Sequence, residues 1–278
     1  MSHGIDSVAV ATARANYEEW VWGSHAPAHG RRTAARNAAF FLPHLKSGMA
    51  LLDAGCGVGS ITLGLAAAVA PGHVTGVDLS PRSLAKAREL KAEQRAENVS
   101  FEQHDLRALP FEDGTFDAVF MHAVLQHIGD PENVLREMLR LLKPGGVIGI
   151  GDADFDGALH WPDDPLLTRS HDIMAGVRPE GDARIGKRLR ALLVESGYTN
   201  VVASVVGGAD GAPQIVAWNG EATARRFAEE PFIAFAEAIG VSTRKEMLAI
   251  SEAWRAWGRN PGAFAARFWC QAIGFKPA

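Results

Sequence analysis

Apolar residues recur along this chain in short, nearly unbroken runs, most of them closed by an acid or a glycine and followed by a stretch with helical spacing. Leu51 and Leu52 run into Asp53, and the run from His73 closes on Asp78. Val99 to Gln103, Phe116 to Met121 and Val147 to Asp152 repeat the pattern. Between them, Ser60 to Ala70 holds good helix formers and stops at Pro71-Gly72. Ser80 caps a second helix, with Pro81 at its first position and Leu84 and Leu90 further on. A third starts at Asp130-Pro131-Glu132 and carries Val134, Leu135, Met138, Leu139 and Leu142 on one face, after which Lys143-Pro144-Gly145-Gly146 reads as a turn. Repeated strand and helix closing on a fifth strand predicts an α/β fold, an open parallel sheet with helices on both faces.

The remaining chain reads as additions to that sheet. Asp154 to Pro165 reads as a loop at the carboxyl edge, Asp182 to Ser196 as a helix ended by Gly197, and Val201 to Val206 as a sixth strand. Glu221 to Arg259 is helical in pattern, and Phe264 to Ala272, which includes Trp269, is a candidate seventh strand. Residues 1 to 29 hold Tyr17, Trp20, Trp22, His25 and His29 without a sheet of their own. No linker rich in Pro, Gly or Ser divides the chain and no repeat is visible, so one domain over 30–278, with a helical insertion at about 220–260, is expected behind a 1–29 segment.

The chemistry concentrates at Gly55-Cys56-Gly57-Val58-Gly59. Alternate glycines between a strand and a helix let the backbone close around a ligand, and the helix amino-terminus offers NH donors to an anion. The dinucleotide pattern G-x-G-x-x-G differs, because Ser60 stands where its last glycine would fall. Asp78, at the end of the next strand and 25 positions after Asp53, can accept both hydroxyls of a ribose.

Asp53 followed by these glycines resembles the first motif of class I S-adenosylmethionine-dependent methyltransferases, small-molecule type. From about residue 30 to 152 the chain is similar to that family motif for motif, with Asp53, Gly55, Gly57, Asp78, Asp105 and the turn after Leu141 in place. The resemblance implies a Rossmann-like seven-stranded sheet whose last strand is antiparallel, an N-terminal helical lid over the cofactor, and a helical insertion before the last strand. It implies S-adenosyl-L-methionine as cofactor, contacted by Asp53, Gly55, Cys56, Gly57, Asp78, Leu79, Asp105, Leu106, His122 and His127. Asp105 and Leu106 would border the adenine.

An acceptor pocket lined by Trp20, Trp22, His29, Trp161 and Trp269 suits a small aromatic or heteroaromatic molecule, such as a quinone precursor or an indole-containing secondary metabolite. Whether carbon, nitrogen or oxygen is methylated stays open. An indole or phenol needs a base for its proton, for which Tyr17, His25 and Asp154 are the candidates; a neutral amine needs only placement. Two rival readings remain, a NAD-dependent oxidoreductase using Asp78 in the same ribose role and a non-catalytic cofactor-binding protein.

Composition adds limits. In 278 residues, 47% hydrophobic content supports a full core, and a net charge of -4 argues against a nucleic-acid partner. Arg184, Lys187, Arg188 and Arg190 read as the solvated face of a helix. Two cysteines make no disulfide framework, and no apolar run approaches ~18 residues, so a cytoplasmic protein with no membrane span is expected. The near-match to a phosphate loop at Gly181–Lys187 lacks its Ser or Thr, that to a calcium loop at Asp152–Asp163 lacks the preceding helix, and the histidines are not at metal spacing, so no metal is expected. The aromatic amino-terminal segment is as suited to pairing with a second subunit, as a homodimer, as to closing on its own core.

Overall fold

The computed structural model describes residues 7–29, 32–178 and 180–278, excepting the side chains of 7, 9, 21–29 and 210. In chain order the helices and strands are α1 (Ser7–His29), α2 (Ala34–Asn37), β1 (Leu51–Ala54), α3 (Ser60–Val69), β2 (Val74–Asp78), α4 (Pro81–Gln94) and β3 (Val99–Gln103). Then come β4 (Phe116–His122), α5 (Pro131–Leu141), β5 (Leu142–Ala153), β6 (Leu159–Trp161), α6 (Pro165–Gly176), α7 (Leu189–Glu195) and β7 (Thr199–Asp210). The last elements are α8 (Pro213–Ala228), α9 (Glu230–Ala238), α10 (Arg244–Arg259) and β8 (Phe264–Phe275).

The chain forms two compact units. The larger comprises 26–153, 180–206 and 269–278; the smaller comprises 1–25, 154–179 and 207–268. These boundaries differ from the division read from the sequence into 1–29 and 30–278, because residues 154–179 cluster with the amino-terminal helix and with the 207–268 region.

In the larger unit the strand order is β3-β2-β1-β4-β5-β8, with β7 also pairing β8. The first five strands are parallel to their neighbours, and β8 runs antiparallel to β5, from Val147 opposite Phe275 to Ala153 opposite Trp269. Alternate side chains of each strand enter opposite layers, as the two-residue strand period requires. Leu52, Val119, Ile148 and Ile150 pack on one face with Val134, Leu135 and Met138 of α5. Leu51, Val74, Ala118, Phe120 and Val147 pack on the other with Leu65 and Val69 of α3 and Leu84 of α4. Burial on both faces explains why these strands are unbroken apolar runs.

The smaller unit is mainly helical. Phe227, Phe232, Phe235, Met247, Ile250, Trp254 and Trp257 share one core with Leu167 and Ile173 of α6, and Tyr17 and Trp20 of α1 pack against it. Two glycines set the spacing of α8 and α10: a Cβ on Gly220 would lie 2.6 Å from the Gly258 Cα and 2.8 Å from the Trp254 carbonyl oxygen. Short β6 pairs antiparallel with the start of β8, Leu159 opposite Ala266. No described helix is long and apolar enough to cross a membrane.

Several local readings are corrected. Lys143–Gly146 is not a free turn: β5 begins at Leu142, and the register shift between Phe116 and Ala118, with Gly145 at φ +74°, absorbs the bend inside the ladder. The loop expected over 154–165 contains a 3-10 turn at Phe155–Gly157 and strand β6, whose ladder partner lies more than a hundred positions away. The helix expected from Asp182 starts at Gly186 as a 3-10 turn, because the Asp182 carboxylate accepts from the Arg184 amide in a turn of its own. The helical region expected from Glu221 starts earlier, at Pro213, and is three helices.

Candidate functional site

The glycine loop is tied to the neighbouring strand. Gly55 and Cys56 both donate their amides to the Val77 carbonyl, at 2.7 and 3.0 Å. Gly55, Gly57 and Gly59 have φ of +82°, +53° and +77°, the left-handed region where other residues are strained. Their surroundings differ. A Cβ on Gly55 would lie 2.3 Å from Val124 Cγ2, whereas one on Gly57 would meet nothing within 4 Å. Gly55 therefore packs against a wall, and Gly57 leaves open space where a ligand can approach the backbone. Helix α3 begins behind Gly59 without a side-chain cap, which suits an anionic group at its amino-terminus.

Asp78, half-buried at the end of β2, is fixed from two sides. Its Oδ2 accepts from the Gly57 amide at 2.8 Å and its Oδ1 from the Ser80 amide at 2.9 Å. Each carboxylate oxygen can accept more than one bond, so a held carboxylate with acceptor capacity remains for a pair of hydroxyls. Burial raises its pKa and the amides of Ser80, Gly57 and Leu79 oppose that rise. Leu79, beside it, is 64% exposed, an apolar surface suited to a flat ring, and Leu106 is partly buried against the core. These features fit a nucleoside with a charged amino-acid tail.

Asp53 supports the loop from within: it is 3% exposed and its Oδ2 accepts from Thr62 Oγ1 of α3 at 2.6 Å. Burial pushes its pKa to about 7, Thr62 opposes this, and Asp78 adds to it. Burial also pushes the Cys56 thiol up, with Asp53 and Asp78 adding, so it stays protonated. Asp105 is gripped by Arg107, whose Nε lies 3.0 Å from both carboxylate oxygens and whose Nη2 lies 2.5 Å from Oδ2. That guanidinium holds the acid below its ordinary range.

At the carboxyl end of β4 the two histidines separate. His122 is buried, 3.3 Å from Asn37 Nδ2 through Nε2, and stacks on Trp269 with centroids 4.6 Å apart. The Arg32 guanidinium lies over the Trp269 ring at 5.5 Å. His127 is exposed, on the 3-10 turn Leu125–His127. In the smaller unit, Tyr17 stacks on Phe235 at 4.7 Å and Trp20 on Phe232 at 5.8 Å. Burial raises the Tyr17 pKa, with Arg178 and Arg226 opposing. Asp154 is buried and caps the turn after it, accepting from the Asp156 amide at 3.1 Å. Trp161 is exposed, and its carbonyl accepts from Trp257 Nε1 at 2.9 Å. Trp22, His25 and His29 lie in α1, but their side chains fall outside the described residues.

Sequence reasoning missed Asp152, Thr62, Asn37 and Arg32. Asp152 is fully buried at the end of β5, and its Oδ2 accepts from the amides of Val124 and Leu125 at 3.2 and 2.9 Å. It thereby holds the segment that places Val124 against Gly55, while Ala123 sits at φ +60° with its amide on the Gly151 carbonyl at 2.8 Å. A signal was present: Asp152 ends an apolar strand as Asp53 and Asp78 do.

Part of the chain is similar to known proteins. Residues 45–181 match a family described as "Methyltransferase domain". An uncharacterized methyltransferase of Schizosaccharomyces pombe is 34% identical over 184 residues, 62% of this chain and 65% of that protein. The demethylmenaquinone methyltransferase of Shouchella clausii is 41% identical over 105 residues, 37% of this chain and 45% of that protein. The chain thus spans less than two thirds of the length of these relatives. Haemonchus contortus phosphoethanolamine N-methyltransferase 2, solved in complex with S-adenosyl-L-methionine, superimposes with a TM-score of 0.57 at 21% identity, covering 88% of this chain and 53% of that one, a likeness of fold.

Proposed function

We propose, from the match of residues 45–181 to a methyltransferase-domain family, that the chain transfers a methyl group from S-adenosylmethionine to a small aromatic or heteroaromatic acceptor such as a quinone precursor or an indole. The observation that carries this reading is Asp78, a carboxylate held by the Gly57 and Ser80 amides beside open space over Gly57. In this reading Asp78 accepts the ribose hydroxyls, Leu79 and Leu106 flank the adenine with Asp105 at its edge, and the Gly55–Gly57 backbone with α3 receives the amino-acid tail. Bound there, the cofactor supplies a methyl whose bond to sulfur breaks as a bond to the acceptor forms, leaving a neutral thioether.

An aromatic acceptor is supported by Trp269, stacked on His122 in the larger unit. Where the acceptor is an indole or phenol, Asp154 is the proposed base, because a carboxylate accepts a proton, whereas a Tyr17 phenol with a raised pKa stays protonated at neutral pH and donates a hydrogen bond. His25 is the third candidate. A cytoplasmic setting without a nucleic-acid partner belongs to the same reading, from composition.

Calorimetric titration tests the cofactor: S-adenosylmethionine should bind and NADH should not. Binding of NADH alone would replace this reading by the oxidoreductase. Transfer of labelled methyl to a member of an indole, phenol and amine panel is then expected; binding without transfer to any of them would favour a non-catalytic protein. Unchanged turnover in variants of Tyr17, His25 and Asp154 would remove the base assignment.

A further inference from the structure

We propose that the outer edge of β7 is an interaction surface for a second copy of this chain, and that two β7 strands pair antiparallel across a two-fold axis at Ser204, joining the sheets of two larger units. The inference is independent of the methyl-transfer reading, since it uses none of the residues of that site.

Strand β7 lies at an end of the sheet. β8 has β5 on one edge, from Phe275 to Trp269, and β7 on the other, where Thr199 Oγ1 donates to the Phe275 carbonyl at 3.2 Å and Ser204 Oγ lies 3.3 Å from Gln271 Oε1. Among the described residues β7 pairs with no strand but β8. Residues 202–206, all within the larger unit, are exposed one after another, so neither face of the strand is covered. Val202 is 66% exposed, Val205 59% and Val206 46%. Successive side chains point to opposite faces, so Val202 and Val206 share one face and Val205 lies on the other.

An edge of unpaired amides and carbonyls is a template for another strand, and proteins blunt such edges with charged side chains, prolines or bulges. The opposite end of this sheet is treated in that way: at β3, Lys91 Nζ donates to the Val99 carbonyl at 2.6 Å and Arg88 Nη2 to the Phe101 carbonyl at 2.9 Å. From Thr199 to Ala209 there is neither a charged residue nor a proline, and among the described residues no side chain reaches a carbonyl of 202–206. The stretch is also its own complement. Antiparallel pairing about Ser204 sets Val202 against Val206 on one face and Ala203 against Val205 on the other, each repeated by the symmetry, with Ser204 opposite itself. β-Branched pairs stabilise such a ladder, and no like charges are opposed. Five paired positions span roughly 17 Å and cover less than the ~1,200 Å² of a standard interface, so a dimer dissociating in the micromolar range is expected.

Sedimentation equilibrium of the full chain from about 1 to about 200 μM tests this. The unaltered protein should pass from monomer to dimer across that range. Ser204→Lys opposes two like charges at the axis and should raise the dissociation constant about fivefold or more, with the melting temperature of the dilute monomer unchanged. Oxidation reads the register. In the proposed pairing two Ser204→Cys chains bring their thiols within disulfide reach, whereas those of two Val202→Cys chains lie about 14 Å apart along the ladder. Ser204→Cys should therefore form an interchain disulfide that neither Val202→Cys nor the unaltered protein forms. A monomer at every concentration overturns the proposal and leaves the edge to another partner or to water. So does a dimer untouched by Ser204→Lys, which would place the interface elsewhere, and so does equal cross-linking from positions 202 and 204.

Discussion

Replacing Asp152 by asparagine should stabilise the protein at alkaline pH and flatten the dependence of its stability on pH. Asp152 is fully buried, and burial pushes its pKa from the ordinary carboxylate value to about 7 even though the amides of Leu125, Val124, Gln126 and Ala153 favour the charged form. Its Oδ1 has no hydrogen-bond partner among the described residues. The folded state therefore holds the proton more tightly than the unfolded chain. The resulting stability is fully present below the unfolded pKa and is lost as pH rises through about 7. Between pH 5 and pH 8 the loss amounts to roughly 2–3 kcal/mol, which for a chain of this size corresponds to about 5–10 °C in melting temperature. Asparagine keeps an oxygen for the Val124 and Leu125 amides and has no charge to bury. Asp53, with a pKa of about 7, supplies a similar slope that survives the substitution, so about half of the pH dependence should disappear. Urea or thermal unfolding of both proteins from pH 5 to pH 8, without cofactor, measures this. Parallel pH profiles would show that burial does not raise the pKa of this acid and would refute the reasoning.

Asp78→Asn should raise the dissociation constant for S-adenosylmethionine about 100-fold, since it removes charged acceptors for the ribose worth about 3 kcal/mol; calorimetry with an unchanged affinity would remove Asp78 from the site. Thr62→Val, which deletes the 2.6 Å donor to Asp53, should cost about 2 kcal/mol at pH 8 and less at pH 5, where the acid is protonated; urea unfolding at the two pH values checks the difference. Gly220→Ala should destabilise by about 1–3 kcal/mol, because the added methyl meets the α10 backbone at 2.6 Å and overpacking outweighs the gain in helix propensity; a rise in urea midpoint would contradict this.

How much of this was legible in the sequence differs between the two units. The order of strands and helices from Leu51 to Ile150 follows from local rules, since unbroken apolar runs, Ser80 and Asp130 caps and prolines at first helical positions each act within a few residues. The glycine loop and Asp78 were readable for the same reason: loop and acid both sit at strand ends, and the geometry that joins them spans one crossover. Strand β6 was not readable, because its ladder partner is in β8. The bend at Lys143–Gly146 looked like a turn, but β4 and β8 pull the segment into the ladder.

By itself the sequence determined the α/β class, the glycine loop between the first strand and its helix, and the acid at the end of the next strand. Only the tertiary structure decided which acids are buried, and that His122 is stacked on Trp269 while His127 is exposed. The reason is range: caps, periodicity and strand-end acids are set by neighbours along the chain, whereas burial and charge proximity are sums over residues that only the completed packing brings together.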